Sequence, residues 1–468
     1  MGAILSLNSS KTLSEYYKGS EFTCKRKRML HCWEENERLI PYLPDDISLG
    51  ILARVPRVHY LGLKLVSRRW KAAVTSPELY NLRRELRTTE EWLFILSRLE
   101  ERLIWHALDP VSQKWQKLPP MPNDSTEDGS RKGLAIFRMW NMSGSHTKIT
   151  DLLRGWFMRG DEVDRMPFCG CSIGAVNGCL FVLGGLSRAS ALRCVWRYDP
   201  ILNAWFESSP MSRCRAYSKT GVLNGKLYVV GGVNKARGGL SPLQSAEVFD
   251  PITGLWSEIP SMPFSKTQVP LTAFLADLLK PIATGLTTYR GKLYVPQSLY
   301  CWPFFVDAGG EIYDPETNSW VEMPNGMGEN WPARQAGTKV SAVVDDELYA
   351  LDPSSSMDSV RLRVYDYQDD CWKVVPGEVP IHDTADAESP YLLAGFHGKL
   401  HVITKDANHD LAVLEAVTQN HLASLPSKSS SSGKHSVSLA ESGSDMWRVI
   451  ATRRGSSAEL VSCQVLDV

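Results

Sequence analysis

Few side chains in this sequence have types and spacings that could carry out chemistry. His397 and His401 are the most closely spaced histidines, and imidazole with phenolate ligands on one face could bind copper for an oxidase reaction. Both lie in a repeated turn-and-strand pattern, in which other copies have Asn or Arg at the first position and Tyr at the second. We therefore interpret them as a turn residue and a strand residue.

The ten cysteines give no stronger metal signal. None forms a C-x-x-C pair, and the closest two, Cys169 and Cys171, are too tightly spaced for an ordinary structural zinc site. Dilute, unpaired cysteines are typical of reduced thiols in a cytoplasmic or nuclear protein. The sequence predicts no metal, no cofactor and no catalytic residue.

Basic and aromatic side chains are the better candidates for binding another protein. Three stretches follow a tryptophan that ends a predicted strand, and they contain Arg213, Arg215, Tyr217, Lys266 and Arg334. Arginine can pair with carboxylates or phosphates, and arginine and tyrosine are common at interaction hot spots. We predict these five residues as contacts to a target protein. The alternative, that they brace the connecting loops, remains open.

The elements that must position these residues are repeats. Five times an aspartate is followed six residues later by a tryptophan, at intervals of about 50 residues, which indicates repeated supersecondary units. The pairs are Asp109 and Trp115, Asp199 and Trp205, Asp250 and Trp256, Asp314 and Trp320, and Asp366 and Trp372. A sixth unit keeps Trp447 without the aspartate. We expect all six tryptophans to lie in the core between units.

A second repeated element is a turn dipeptide followed by a strand. Asn177-Gly178 and Asn224-Gly225 are the clearest hairpin signals. Six units of four short antiparallel strands predict a mainly β protein, a six-bladed propeller, because packing in a ring buries both faces of every blade. Two strands end in glycine pairs, which we expect to let the backbone run close to the central channel. These glycines are Gly184, Gly185, Gly231 and Gly232.

The first unit starts at residue 90 without an innermost strand. The apolar run at 460–465 is strand-like, so we predict that this C-terminal strand completes the first blade and closes the ring. The propeller is predicted over 90–468, and segments that do not fit the repeat are predicted as insertions at 123–165, 264–288 and a serine-rich one at 426–438.

Residues 39–87 have a different pattern, typical of short helices. Apolar residues recur at helical spacing after Pro44, and Pro56 stops the run. Ser67 and Ser76 are placed to cap two further helices. A module of about 50 residues is small for a stable core, so we expect it to expose an apolar face to a partner.

Residues 1–38 are polar and aperiodic, and we predict a disordered tail. Its basic run 25–28 could be an import signal, a polybasic membrane partner for an acyl chain or a solvated charge run, and Gly2 fits a loose acylation pattern. The 52 basic and 52 acidic residues balance, which gives no electrostatic footprint for nucleic acid. No apolar run of 18 residues exists, so no transmembrane segment is predicted.

The segment from Leu43 to Trp70 resembles an F-box, and the Gly-Gly, Tyr and Trp positions resemble kelch repeats. Together they resemble the plant F-box/kelch-repeat proteins. Two units depart from the pattern, with Pro296-Gln297 and Leu351-Asp352 in place of the glycine pair. The resemblance implies a non-catalytic substrate receptor of a cullin-based ubiquitin ligase, in which the propeller holds an unknown target protein.

The resemblance also implies which residues dock on a Skp-type adaptor. By motif position they are Leu43, Pro44, Ile47, Ile51, Leu52, Val55, Val66 and Trp70. Some of these, Trp70 and Val66 first, could instead be internal core of the module. A kelch scaffold without a ligase role is the alternative function, and a propeller oxidase is a more distant one.

Overall fold

A computed structural model provides the structure, in two compact units, one ending at Thr88 and the other beginning at Thr89. It describes residues 38–99, 102–122, 170–187, 190–236, 239–263, 280–301, 304–333, 338–356, 359–381, 390–417, 446–454 and 458–468. The predicted insertions at 123–165 and 426–438 lie outside the described residues, as do the predicted tail up to residue 37 and most of the insertion at 264–288.

The first unit is a module of four short α-helices and one 3₁₀ turn. They are α1 (Asp45–Ala53), the 3₁₀ turn (Arg57–His59), α2 (Tyr60–Val66), α3 (Arg68–Val74) and α4 (Pro77–Glu85). The predicted caps are confirmed: the Ser67 hydroxyl accepts a hydrogen bond from the Trp70 amide at 3.1 Å, and that of Ser76 accepts one from the Leu79 amide at 3.2 Å.

A buried arginine ties the module together. Its guanidinium, on Arg83, donates to the carbonyls of Ala53 at 3.2 Å and Val55 at 2.8 Å, and to the Tyr60 hydroxyl at 3.0 Å. The two carbonyls lie at and just after the end of α1, where helix geometry leaves acceptors without a partner. The arginine thus joins α4 to the end of α1. The surrounding core consists of Leu39, Leu52, Ala53, Tyr60, Val74 and Leu79.

The second unit is built from strands, and the strands of each blade are largely consecutive in the sequence. Blades 1 to 3 contain β1 (Glu91–Leu99), β2 (Arg102–Asp109), β3 (Lys114–Lys117), β4 (Ser172–Val176), β5 (Cys179–Leu183), β6 (Leu186–Ser187), β7 (Ser190–Ala191), β8 (Val195–Asp199), β9 (Ala204–Ser208), β10 (Lys219–Leu223), β11 (Lys226–Val230), β12 (Val233–Ala236), β13 (Gly239–Pro242), β14 (Ala246–Asp250) and β15 (Leu255–Ile259). Two of the pairs, β6 with β7 and β12 with β13, are small hairpins beside blades 2 and 3.

Blades 4 to 6 follow, with a short helix after blade 4. The elements are β16 (Ile282–Ala283), β17 (Thr287–Tyr289), β18 (Lys292–Cys301), β19 (Phe304–Asp314), β20 (Ser319–Glu322), α5 (Asn325–Glu329), β21 (Ser341–Val344), β22 (Glu347–Ser356), β23 (Ser359–Asp366), β24 (Cys371–Val379), β25 (Tyr391–Phe396), β26 (Lys399–Lys405), β27 (Leu411–Ala416), β28 (Trp447–Arg453) and β29 (Glu459–Asp467).

The six sheets close into a ring. Each innermost strand contacts the next, in the cycle β29, β4, β10, β17, β21, β25 and back to β29. The C-terminal strand β29 pairs antiparallel with β1, with Leu93 opposite Val465 and Ile95 opposite Cys463. The first blade therefore has the strand order β29-β1-β2-β3. This confirms the six-bladed propeller and its closure by the C-terminal strand.

The aspartate and tryptophan spacing has a local cause. Each aspartate side chain accepts a backbone N–H from the turn that follows it, as Asp199 does from Ile201 at 2.9 Å. The residue four positions later has a positive φ, for example Asn203 at 53°. The tryptophan two residues further on is then opposite the residue just before the aspartate: Trp205 pairs with Tyr198, and their rings are 5.2 Å apart. A fixed hairpin geometry thus requires the six-residue spacing.

The tryptophans also join neighbouring blades, through their indole N–H groups as well as their rings. Five of them donate to a carbonyl of the preceding blade or of the segment after it. The bonds run from Trp115 to Thr452 (3.1 Å), Trp205 to Pro119 (2.9 Å), Trp256 to Ser209 (2.8 Å), Trp320 to Pro260 (2.6 Å) and Trp372 to Met327 (3.2 Å). Trp447 packs half-buried against the cluster shared by blades 5 and 6.

The expectation for the glycine pairs is wrong in its location. Gly184 and Gly232 do have positive φ, but a Cβ atom there would meet the carbonyls of Arg215 at 2.2 Å and Ala216 at 2.6 Å, in the loop between blades 2 and 3. The pairs therefore accommodate a connecting loop. The central channel, about 330 Å³, is lined by the innermost strands, where Gly221 and its counterparts in β4 and β25 lie.

Candidate partner-binding surfaces

The helical module leaves apolar side chains in contact with solvent. Ile47 and Ile51, four residues apart on one face of α1, are 50% and 43% exposed. On α2, Leu61 is 54% exposed, Leu65 86% and Val66 59%. Folded modules normally bury such residues, because contact between apolar side chains and water is unfavourable in free energy. These five residues, which we call the apolar face, are suited to contact a partner.

The predicted adaptor contacts divide into exposed and covered residues. Pro44, Ile47, Ile51 and Val66 are exposed, and Leu43 is half-buried. Leu52 is only 1% exposed and belongs to the module core, so its prediction as an adaptor contact needs correction. Residues that follow each other on a helix point about 100° apart, which turns Ile51 outward and Leu52 inward.

Two further predicted contacts, Val55 and Trp70, are half-buried and pack against the core. The Trp70 indole donates to the Leu39 carbonyl at 2.8 Å, which holds the start of the module against α3. Of the two residues suspected as internal, Trp70 is thus largely structural, whereas Val66 is exposed.

The predicted adaptor contacts did not include Leu61 and Leu65, both of which are exposed. The two leucines are four residues apart on α2, which places them on one side of the helix. That spacing was visible in the sequence, but the direction in which α2 faces depends on its packing through the buried Tyr60.

The predicted target contacts occupy different environments. Arg213 is exposed and makes an ion pair with Glu258, with 3.3 Å between Nε and Oε1. Arg215 is 1% exposed, so its prediction as a target contact is wrong. Its guanidinium binds Glu247 at 2.8 Å and the carbonyls of Gly231 at 2.9 Å and Ser245 at 2.7 Å.

The physical reason is that the Arg215 guanidinium makes its hydrogen bonds to groups inside the ring. Glu247 is fully buried, and its second oxygen accepts the Ser212 amide at 2.7 Å. Burial lowers the pKa of Arg215, and the hydrogen bond and charge of Glu247 oppose that change. The pair fixes the loop between blades 2 and 3, which is the bracing role left open by the sequence.

The remaining predicted target contacts are one structural residue and two outside the described residues. Tyr217 has a φ of 56°, its amide donates to the Gly170 carbonyl at 2.6 Å, and its half-buried ring covers Gly170, where a Cβ would come within 2.8 Å of it. Lys266 and Arg334 lie outside the described residues. Arg213 is therefore the predicted target contact that the structure places at the surface.

His397 and His401 lie in different environments, one in a turn and the other buried in a strand. His397 is in the turn between β25 and β26, with a φ of 50°. His401 is 1% exposed and stacks on Phe396 with ring centroids 3.6 Å apart, and burial lowers its pKa. Within the described ranges, no group of three His, Cys, Asp or Glu side chains could hold a metal ion. No helix among the described residues is long and apolar enough to cross a membrane.

Comparisons with known proteins agree with both units. A model of the F-box domain matches residues 40–82, and one of the Kelch motif matches residues 167–212 and 214–263. The chain is 59% identical over its full length, and over the full length of the relative, to the F-box/kelch-repeat protein At1g22040 of Arabidopsis thaliana. It is 29% identical to the F-box/kelch-repeat protein At1g30090 of that plant, over 70% of this chain and 67% of the relative. It is 26% identical to the F-box protein AFR, over 68% and 69%.

Proposed function

The chain belongs to the F-box/kelch-repeat proteins, and from that premise we propose that it is the substrate-recognition subunit of a Skp–cullin–F-box ubiquitin ligase. In this proposal the helical module binds a Skp-type adaptor and, through it, a cullin. The propeller binds a target protein for ubiquitination, and the chain itself catalyses nothing. We propose that it acts in the cytoplasm, the nucleus or both, a location with which its dilute, unpaired cysteines agree.

The observation that carries the proposal is the apolar face of the module. Fully burying one such side chain contributes about 1.5–3 kcal/mol, so five residues that are roughly half exposed or more offer enough surface to contribute to a stable complex. The described part of the module is otherwise well packed, with a core and a buried arginine network. The exposed residues are therefore surplus to folding and available for an adaptor.

We propose a contact set that differs from the motif positions where the structure requires it. It retains Leu43, Pro44, Ile47, Ile51 and Val66, and it adds Leu61 and Leu65. Leu52 is assigned to the core, and Val55 and Trp70 support the face from behind. On the propeller, we propose that the exposed Arg213 is one contact to the target.

The first test measures binding of the full chain to a purified plant Skp-type adaptor by isothermal titration calorimetry. Replacing Ile47 and Ile51 together with serine removes about 2 kcal/mol of apolar burial, since each is half exposed before binding. We expect an affinity about 30-fold lower.

The matched control is Arg84→Ala, which removes an exposed polar side chain from α4. We expect this variant to bind as the parent does. Circular dichroism of both variants should match the parent, since neither change touches the core. Unchanged adaptor binding by the isoleucine variant would contradict the assignment of the apolar face.

A second measurement separates a ligase subunit from a scaffold. The intact chain should capture a cullin together with the adaptor, and the combined change of Leu43→Ala and Pro44→Ala should abolish that capture. A chain that retains the propeller but lacks residues 39–87 should still bind its target. Capture of the target without any cullin by the intact chain would favour the scaffold.

A further inference from the structure

Ring closure brings together three basic side chains that the proposed receptor role does not use. His106 on β2 is directly opposite Lys117 on β3, so the two side chains lie on the same face of blade 1. Trp115 shares that face, and its indole donates to the carbonyl of Thr452 on β28 of blade 6. The next residue, Arg453, ends β28. The three form a basic cluster at the seam between the first and last blades.

The cluster lacks the carboxylate partners that several other basic side chains of the ring have. His106 is 4% exposed, and neither of its ring nitrogens has a hydrogen-bond partner in the part of the chain that the structure describes. Among the residues that the structure describes, no carboxylate pairs with Lys117 or with the half-buried Arg453. By contrast, the half-buried Arg98 pairs with Glu459 at 2.6 Å. A buried imidazole without a hydrogen bond is costly, which points to a ligand.

The electrostatic surroundings specify the sign of that ligand. Burial first, and then the positive charges of Arg453 and Lys117, together lower the pKa of His106 to about 4. The other side chains of this seam, on β1 and β27, are apolar and include Ile95, Leu411 and Val413. Two cations thus stand beside a neutral imidazole, and a bound anion would offset the repulsion that keeps the imidazole unprotonated.

We propose that the basic cluster of His106, Lys117 and Arg453 binds a phosphate group. Two permanent positive charges and a third group that can gain a proton suit a doubly charged oxyanion better than a single carboxylate. Lys117 and Arg453 are the last residues of β3 and β28, and Lys117 is exposed, so an ion can reach the cluster from solvent. The phosphate is either free or carried by a polypeptide, and only the second case rests on the proposed receptor function.

The test is calorimetric titration of the full chain with inorganic phosphate at pH 7, with chloride keeping the ionic strength constant. We expect saturable binding of one phosphate, at least tenfold weaker in Arg453→Gln and in Lys117→Gln. Arg454→Gln, which removes the same charge one residue away, should change the affinity less than twofold. Absence of saturable binding, or an equal loss in Arg454→Gln, would overturn the site.

The role of His106 is tested with sulfate, which stays doubly charged across the range used. Because binding should be coupled to proton uptake by the imidazole, sulfate affinity should rise as the pH falls from 7 to 5. The rise should be absent in His106→Gln. An affinity independent of pH in the parent chain would remove His106 from the site.

The source of the phosphate is tested with a short phosphoserine peptide. Binding at least tenfold tighter than inorganic phosphate indicates a group carried by a polypeptide, and equal or weaker binding indicates a free phosphate ligand. Adaptor binding by the helical module is measured separately, so failure of the phosphate site and failure of the ligase proposal are distinguishable.

Discussion

Leu65 of the helical module is 86% exposed, whereas Leu460 of the ring is 3% exposed. The module buries some of its apolar residues in one small core and leaves the apolar face exposed. Among the described residues, the innermost strands of the ring expose no large apolar side chain, because each blade covers the next and β29 covers β1. The comparison teaches that closure, rather than composition, decides which apolar residues of this chain remain available to a partner.

The buried arginines extend the comparison. In the module, Arg83 donates to helix-end carbonyls and a hydroxyl. In the ring, Arg215 faces a fully buried carboxylate, Glu247. Arg83 supplies hydrogen bonds to carbonyls that have no partner within the helix. Arg215 neutralises the charge of a carboxylate that water cannot reach. Loss of the arginine should therefore cost more in the ring.

The sharpest way to break this comparison is to remove β29. Deleting residues 459–468 uncovers the edge of β1 and Leu93 and Ile95, which are fully buried in the intact chain. We expect the cooperative unfolding transition of the ring, measured by differential scanning calorimetry, to disappear, because a ring with an open blade exposes a long strand edge.

Adaptor binding should survive this deletion, because the module is a separate compact unit. Calorimetric titration with the Skp-type adaptor therefore serves as the internal control. A deletion variant that keeps the full ring transition would show that β29 is dispensable. Loss of adaptor binding would show that the two units depend on each other.

The ring was predictable because its signal is repeated. The position four residues after each aspartate has a positive φ, and glycine or asparagine occupies three of the five cases, including Asn203 and Gly254. Five copies of one hairpin and a sixth unit that keeps the tryptophan, each too small to bury its own faces, leave few alternatives to a ring. The location of the glycine pairs was not predictable, because the loop that packs on Gly184 comes from about 30 residues further along the chain.

The second prediction concerns the buried ion pair. Arg215→Ala leaves Glu247 buried without its partner, so we expect the free energy of unfolding of the ring to fall by about 3–5 kcal/mol in urea. The comparable exposed pair is Arg213 with Glu258. Arg213→Ala should cost less than about 1 kcal/mol, since exposed pairs contribute little. Similar losses in both variants would contradict the assignment of Arg215 to a structural role.

The site was harder to predict than the fold, and the two arginines show why. Arg213 and Arg215 are two residues apart in one loop, and nothing in their local sequence distinguishes them. Their roles are decided by Glu247 and Glu258, which are 32 and 45 residues away in sequence from their respective partners. Likewise, Ile51 and Leu52 are adjacent, and only the packing of α1 against the module core determines which one is exposed.

The smallest expected effect is a pH dependence at the seam of the ring. His106 is neutral in the folded chain, with a pKa lowered to about 4 by burial and by the nearby Arg453 and Lys117, whereas an unfolded histidine titrates near pH ~6.5. Between these values the unfolded chain binds more protons. The contribution of His106 to stability is therefore complete above pH ~6.5 and is lost as the pH falls toward about 4.

One histidine can change the free energy of unfolding by up to about 1.4 kcal/mol per pH unit in this window. Urea unfolding in chloride buffers, without phosphate or sulfate, should therefore show a shallower decline for His106→Gln than for the parent chain. The exposed Arg454, changed to glutamine, removes a nearby charge without removing an imidazole; it is the matched control and should leave the decline unchanged. If the free energy of unfolding falls equally steeply with pH in the parent and in His106→Gln, the ring does not hold the His106 imidazole neutral.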